Sequence, residues 1–285
     1  MSHPHWSAAS SKSPAELAAH NPYGEITSTL DWCEENLFSP VWFLAEFFNS
    51  ISNLAMLSLG LYGAYRSWKQ RLPQRFILGY LALAVVGVGS LLFHATLLFE
   101  SQLSDELPML WADAVFLFCM APKRWREDDV KRYLLLGALT VYTLGVTGVY
   151  VYTRSALFFE SAYALGVVLM LVHCLHWAQT EGKQPQFAPQ RKLIAVGAAS
   201  LVGAFAVWNV DNLFCDRLRE LRTWLGSPLL APLLQFHAWW HLGAGYATYL
   251  LGVFVSYRDE EMCGRLVHGK TWFGLPILIE VKPKQ

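Results

Sequence analysis

The sequence predicts an all-α membrane protein, a bundle of seven transmembrane helices with a lumenal N-terminus and a cytosolic C-terminus. Composition is the first reason: 54% of residues are hydrophobic, 14% aromatic and only 15% charged, with a mean hydropathy of +0.29, outside the range of ordinary soluble chains. The second is the recurrence of apolar stretches of bilayer-crossing length. The third is a lopsided distribution of basic residues between alternate loops.

The stretches lie at about 41–65, 76–99, 104–121, 133–153, 156–179, 192–210 and 230–257, near the length a spanning helix needs. The second, fourth and seventh contain no Asp, Glu, Lys or Arg and the sixth only Lys192 at its first position, whereas the first, third and fifth carry Glu46, Asp113 and Glu160. Of the 22 Lys and Arg residues, 17 fall after the odd-numbered stretches. Basic loops stay in the cytoplasm, so the N-terminus and the loops after the even-numbered stretches are lumenal. Residues 1–30 read as a mobile lumenal arm, 31–257 as the membrane domain and 258–285 as a cytosolic tail. Residues 1–24 lack the apolar core of a cleaved signal. A formal net charge of zero argues against a nucleic-acid partner, and no obligate protein partner is evident.

His237 and His241 stand four residues apart in the last stretch, on one face of a helix. Polar groups at that depth are expensive and tend to be functional, and His-x3-His supplies two ligands of a tetrahedral zinc. His94, near the lumenal end of the second stretch, shares their depth and completes the three ligands that a catalytic zinc needs. Ser90, one turn before His94, faces the same interior space, and Asp105 opens the third stretch at the same level. These roles follow: Zn2+ polarises a carbonyl, Asp105 orients water and moves its proton, and Ser90 donates to the developing oxyanion. Hydrolysis of a lipid amide or ester is the implied chemistry. The alternative is that the histidines pack and hydrogen-bond between helices.

Asp31, Glu34, Asn36 and Glu46 form a second group of hard oxygen donors suited to Ca2+, though an acidic turn before a membrane helix is usually just solvated. Asn49 and Asn53 follow Glu46 on one helical face and read as interhelical hydrogen-bonding residues. Cys33 and Cys215 both fall on the oxidising side, where they either bridge or remain buried thiols.

Several motifs together resemble the alkaline ceramidase family of integral membrane amidohydrolases: Asp31-Trp-Cys-Glu-Glu-Asn36, Ala45-Glu-Phe, Ser52-Asn-Leu, Gly89-Ser-x-x-Phe-His94-x-Thr-Leu, Gln102-Leu-x-Asp-Glu-Leu-Pro-Met109, Asp211-Asn-x-Phe-Cys215 and His237-x-x-Trp-His241. The resemblance covers residues 27–257 and implies cleavage of ceramide, drawn laterally from the bilayer, to a sphingoid base and a fatty acid. It implies zinc on His94, His237 and His241, with catalytic roles for Ser90 and Asp105. It also implies calcium on Asp31, the Trp32 carbonyl, Glu34, Asn36 and Glu46, a Cys33–Cys215 disulfide, and residence in the endoplasmic reticulum and/or Golgi. The stretch from Asn36 to Glu46, with Ser39 and Pro40, is one residue longer than the family pattern. The main alternative is a seven-span zinc-containing receptor of the adiponectin- and progestin-receptor type, which resembles this chain in architecture but has a cytosolic N-terminus. A metal transporter is a third reading, disfavoured because the candidate ligands cluster at one depth.

Overall fold

Each apolar stretch forms a helix in the computed structural model, which describes residues 21–36, 41–226, 230–262, 266–272 and 275–282. In chain order the helices are α1 (Phe47–Lys69), α2 (Gln74–Thr96), α3 (Phe99–Met120), the short α4 (Lys123–Glu127), α5 (Asp129–Thr153), α6 (Ala156–Gln179), α7 (Ala188–Leu213), α8 (Cys215–Leu225) and α9 (Phe236–Met262). Among the described residues, four segments are long and apolar enough to cross a membrane: Gln74–Thr96, Asp129–Thr153, Ala156–Gln179 and Pro185–Leu213. The protein is therefore a helical membrane protein. The other long helices, α1, α3 and α9, carry polar residues that lower their hydropathy.

Local chemistry sets the helix ends. Asp128 accepts a hydrogen bond from Lys131 N at 3.0 Å to cap α5, and Ser155 opens α6 by accepting from Phe158 N at 3.4 Å. Arg154 ends α5 in the left-handed region, with φ 52°. Gly226 ends α8 in the same region at φ 53°, where glycine meets no steric cost.

The chain divides into two compact units. The first comprises Met1–Leu57, Val85–Pro108 and Leu201–Gly245. Its described N-terminal segment closes over the end of α2. The last carbonyls of a helix have no donor of their own, and here they are satisfied from outside: Glu46 N donates to His94 O (3.0 Å), Ala45 N to Ala95 O (2.9 Å), and both Thr27 N and Ser28 N to Leu97 O. Asn21 Nδ2 reaches Thr96 O at 3.1 Å. Thr29 N donates to Gln102 Oε1 at 2.8 Å. The arm expected to be mobile over 1–30 is thus docked through residues 21–29, because those backbone carbonyls need donors. Residues 1–20 and 37–40, including Ser39 and Pro40, lie outside the described residues.

Cys33 and Cys215 form a disulfide, with their Cα atoms 5.2 Å apart, inside a small core with Leu218, Val210 and Phe236. Arg222 is buried beside it. Its guanidinium donates to Cys33 O at 2.6 Å, Glu35 Oε1 at 3.0 Å and Leu234 O at 3.1 Å, joining three chain segments. In α3, Pro108 lacks the N–H that would bond to the Ser104 carbonyl. That carbonyl lies against Gly89 of α2, 1.8 Å from where a Cβ would stand.

The second unit comprises Ser58–Ala84, Met109–Ser200 and Tyr246–Gln285. The Tyr80 ring lies flush against glycine backbone at Gly63 and Gly252, where a Cβ would come within 2.3 Å and 2.7 Å of it. Small residues give this close approach. Tyr142 donates its hydroxyl to Ala162 O at 2.8 Å, tying α5 to α6. Helix α9 runs beyond the apolar stretch because its polar turn is paired. Arg75 and Arg126 both hold the Asp259 carboxylate, and Arg258 donates to Met120 O at 3.0 Å. The tail then forms an antiparallel hairpin, β1 (Leu266–Trp272) with β2 (Leu275–Lys282), in which Leu266 faces Lys282. Among the described residues these are the strands of the structure, beside an otherwise helical chain.

Substituting Gly89→Ala forces a methyl into the Ser104 carbonyl, a backbone atom that cannot rotate away. A lowered melting temperature in detergent is expected, corresponding to a loss of about 1–3 kcal/mol or more. Gly203→Ala, with open space at the Cβ position, should leave the melting temperature unchanged or raise it.

Candidate active site

Three imidazoles meet in the first unit. His94 lies in the last turn of α2, while His237 and His241 lie in the first turns of α9. All are buried, and one ring nitrogen from each lies within 4.8 Å of the other two. Ring centroids are 5.1 Å apart for His94 and His237, 4.9 Å for His94 and His241, and 4.5 Å for His237 and His241.

Each ring is held from behind. His94 Nδ1 donates to Glu46 Oε2 at 2.5 Å, with both side chains fully buried. With Glu46 ionised its oxygen accepts, which puts the proton on Nδ1 and leaves the Nε2 lone pair bare. Nε2 is buried without a hydrogen-bond partner. His241 Nδ1 is 2.8 Å from Ser52 Oγ. His237 stacks on the Trp32 indole, with centroids 3.9 Å apart and planes 18° from parallel, and its Nδ1 is also buried without a partner. Asp211 supports the start of α9: its carboxylate faces the Phe236 and His237 amides, and its Oδ2 accepts from Cys33 N at 3.2 Å. Bare, converging, buried imidazole nitrogens are the donor set that zinc takes, so these residues fit the metal.

Ser90 and Asp105 pair beside this cluster. Ser90 is buried one turn before His94 on the same face of α2, and its side chain is hydrogen-bonded to the Asp105 carboxylate. The close approach at Gly89 and Ser104 puts α3 near enough to α2 for that bond. A carboxyl group and a hydroxyl are thus hydrogen-bonded to each other within the unit that holds the histidines.

The oxygen donors are placed differently from one another. Glu34 turns both oxygens toward the start of α1, where Oε1 accepts from Phe48 N and Oε2 from Asn49 N, each at 2.8 Å. It acts there as the acceptor for main-chain amides that a helix start leaves without partners. Burial first, then the neighbouring Glu46 carboxylate, pushes the Glu34 carboxyl up to about 8, against the pull of those two amides. Asn36 Nδ2 donates to Asp31 Oδ1 at 2.9 Å. The Trp32 carbonyl receives Arg219 Nη2 at 3.5 Å. Glu46 Oε2 is engaged by His94 and by Asn49 Nδ2, whereas Glu46 Oε1 and Asn36 Oδ1 are buried without hydrogen-bond partners. Two oxygens of this set are thus left unfilled, but among the described residues the carboxylates of Asp31, Glu34 and Glu46 do not converge as the three histidines do.

Asn49 and Asn53 bond within their own segment rather than between helices. Asn49 Nδ2 donates to Glu46 Oε2 at 3.0 Å and Asn53 Nδ2 to Asn49 O at 2.8 Å. Sequence reasoning missed Ser52, the Trp32 ring and Arg222 as parts of the site. A signal existed for Ser52, which follows Asn49 by three residues and so shares its helical face.

These observations define a class: a helical membrane protein with a buried three-histidine metal-type centre and a serine–aspartate pair. Comparison with known proteins makes it specific. The Ceramidase family model matches residues 24–275. The chain is 39% identical to alkaline ceramidase 3 of Mus musculus over 92% of its own length and 96% of that protein's. It is 31% identical to alkaline ceramidase YPC1 of Saccharomyces cerevisiae, covering 82% and 77%, and 28% identical to the alkaline ceramidase of Arabidopsis thaliana, covering 92% and 96%. The chain belongs to the ceramidase family.

Glu34 generates a pH prediction. Its folded-state value of about 8 exceeds the ordinary 4.5, so the folded state favours the protonated group. The associated stability is complete below about 4.5 and is lost as pH rises through about 8. In buffer free of divalent cations, the melting temperature should fall across that window, and Glu34→Gln should flatten the fall. An equal slope in the variant would count against this assignment.

Proposed function

We propose that this protein hydrolyses the amide bond of ceramide, including phyto- or dihydroceramide, to a sphingoid base and a free fatty acid, with zinc on His94, His237 and His241. The carrying observation is the convergence of three buried imidazoles in a chain that matches ceramidases over residues 24–275. Those matches leave the receptor and transporter readings without support.

Bound zinc supplies a Lewis acid for the carbonyl and lowers the pKa of water to about 7. The chain's own residues do the rest. Asp105 orients the attacking water, takes its proton and passes that proton to the departing amine. The Ser90 hydroxyl, bonded to Asp105 at rest, turns to donate to the carbonyl oxygen as negative charge develops there. Glu46, by accepting from His94 Nδ1, holds that ring in one tautomer and orientation. Next to His237, a run of aromatic rings passes from Trp32 through Trp208 to Phe205 and Trp240, with centroid spacings of 5.6–6.2 Å along Trp32–Trp208, Phe205–Trp208 and Trp208–Trp240. This apolar wall suits the hydrocarbon chains of a lipid. Ceramide enters laterally from the bilayer, and no water-soluble route is needed.

Calcium is held by Asp31, the Trp32 carbonyl, Glu34, Asn36 and Glu46. Support comes from the unpartnered Asn36 and Glu46 oxygens. The topology is seven spans with the N-terminus lumenal, supported by the basic-residue bias. Residence in the endoplasmic reticulum and/or Golgi is consistent with the Cys33–Cys215 bridge, which belongs on an oxidising side.

Mass spectrometry of purified protein given a ceramide panel should show sphingoid base and fatty acid released in equal amounts. A chelator should abolish release, and zinc should restore it. His94→Ala, Asp105→Ala and His237→Ala should each lose turnover by at least about 100-fold while the protein still accumulates in membranes; full activity in any of them would sink the assignment. For the topology, an N-terminal epitope should resist protease in sealed microsomes and become cleavable on permeabilisation.

A further inference from the structure

We propose that Ser52 is a positioning residue for the metal centre, fixing the tautomer and ring orientation of His241 so that its Nε2 faces the metal. This rests on the zinc reading above. Ser52 lies on α1, away from the His-x3-His helix in sequence, and contributes no ligand atom itself. Its hydroxyl makes two contacts: Oγ is 2.9 Å from the Asn49 carbonyl oxygen and 2.8 Å from His241 Nδ1.

Direction follows from proton counting. A serine hydroxyl carries one hydrogen, and a main-chain carbonyl can only accept. Ser52 therefore donates to Asn49 O, and its oxygen must accept in the bond to His241. Nδ1 of His241 then carries the proton, and the Nε2 lone pair is left for a metal. The Asn49 carbonyl also lies within hydrogen-bonding reach of the His241 ring, and, as an acceptor only, it favours the same tautomer. His94 is set the same way by a different acceptor, Glu46 Oε2. Two of the three rings are thus oriented from α1 and the residue preceding it, one by a charged group and one by a neutral hydroxyl. The neutral partner leaves the centre's charge unchanged while still costing His241 its rotational freedom.

The test is zinc loading of the purified full chain, measured by elemental analysis across chelator-buffered free zinc, with cobalt substitution as a spectroscopic readout. Ser52→Ala should raise the free zinc needed for half loading by about 10–100-fold and change the visible bands of the cobalt protein. Its metal-free melting temperature should stay at the parent's. Ser52→Thr, which keeps the hydroxyl, should load near the parent's concentration. The proposal is overturned if Ser52→Ala loads zinc as the parent does with the same cobalt spectrum. It is equally overturned if Ser52→Ala lowers the metal-free melting temperature as much as the zinc-loaded one, which would mean that the hydroxyl serves folding alone. Failure of the zinc reading looks different: the parent itself takes up no stoichiometric zinc and His241→Ala changes nothing, and both readings then fall together.

Discussion

Glu46 is a carboxylate with no exposed surface, and much of the first unit is arranged around keeping it there. An ion in that position costs several kcal/mol unless partners replace its water. His94 Nδ1 and Asn49 Nδ2 both donate to one of its oxygens. Its own amide donates to the His94 carbonyl, so the residue grips the end of α2 through both main chain and side chain. The same contacts that make Glu46 tolerable hold His94 still. Stability and site geometry are therefore one constraint in this protein, and a change at Glu46 acts on both.

The polar network extends from that pair. Glu34 neutralises the exposed amides at the start of α1, Asp211 faces those at the start of α9, and the disulfide with Arg222 holds the segment that carries Trp32 against the start of α9. In hydrocarbon every main-chain polar group needs an internal partner. Helix ends are where such partners run out. The three converging histidines lie next to those ends, at the end of α2 and the start of α9, where the protein already has to supply side chains with hydrogen-bonding capacity. A metal centre built there uses groups that the fold requires in any case.

Membership of the ceramidase family was readable from ordered motifs whose residues and spacing resemble that family's. His237 and His241 needed only the 3.6-residue period, and depth from the span boundaries brought in His94. The seven long helices were likewise visible as apolar runs. Less visible was the docking of residues 21–29: they form no regular element, and their hydrogen bonds go to carbonyls of Leu97 and Thr96 about seventy residues away. The tail hairpin, too, carries no signal in the span pattern, and α9 outruns its apolar stretch because Arg75 and Arg126 neutralise Asp259.

The sequence by itself determined the helical membrane class, which follows from composition and apolar runs, and the family, which follows from the resemblance of its ordered motifs. Tertiary structure alone decided which partner each side chain takes. It sends both Glu34 oxygens to the amides of α1, gives Glu46 to His94, stacks Trp32 on His237 and brings Ser52 behind His241. Those pairings join residues that are far apart in the chain, and competition for a few buried donors and acceptors settles them only when the segments have packed.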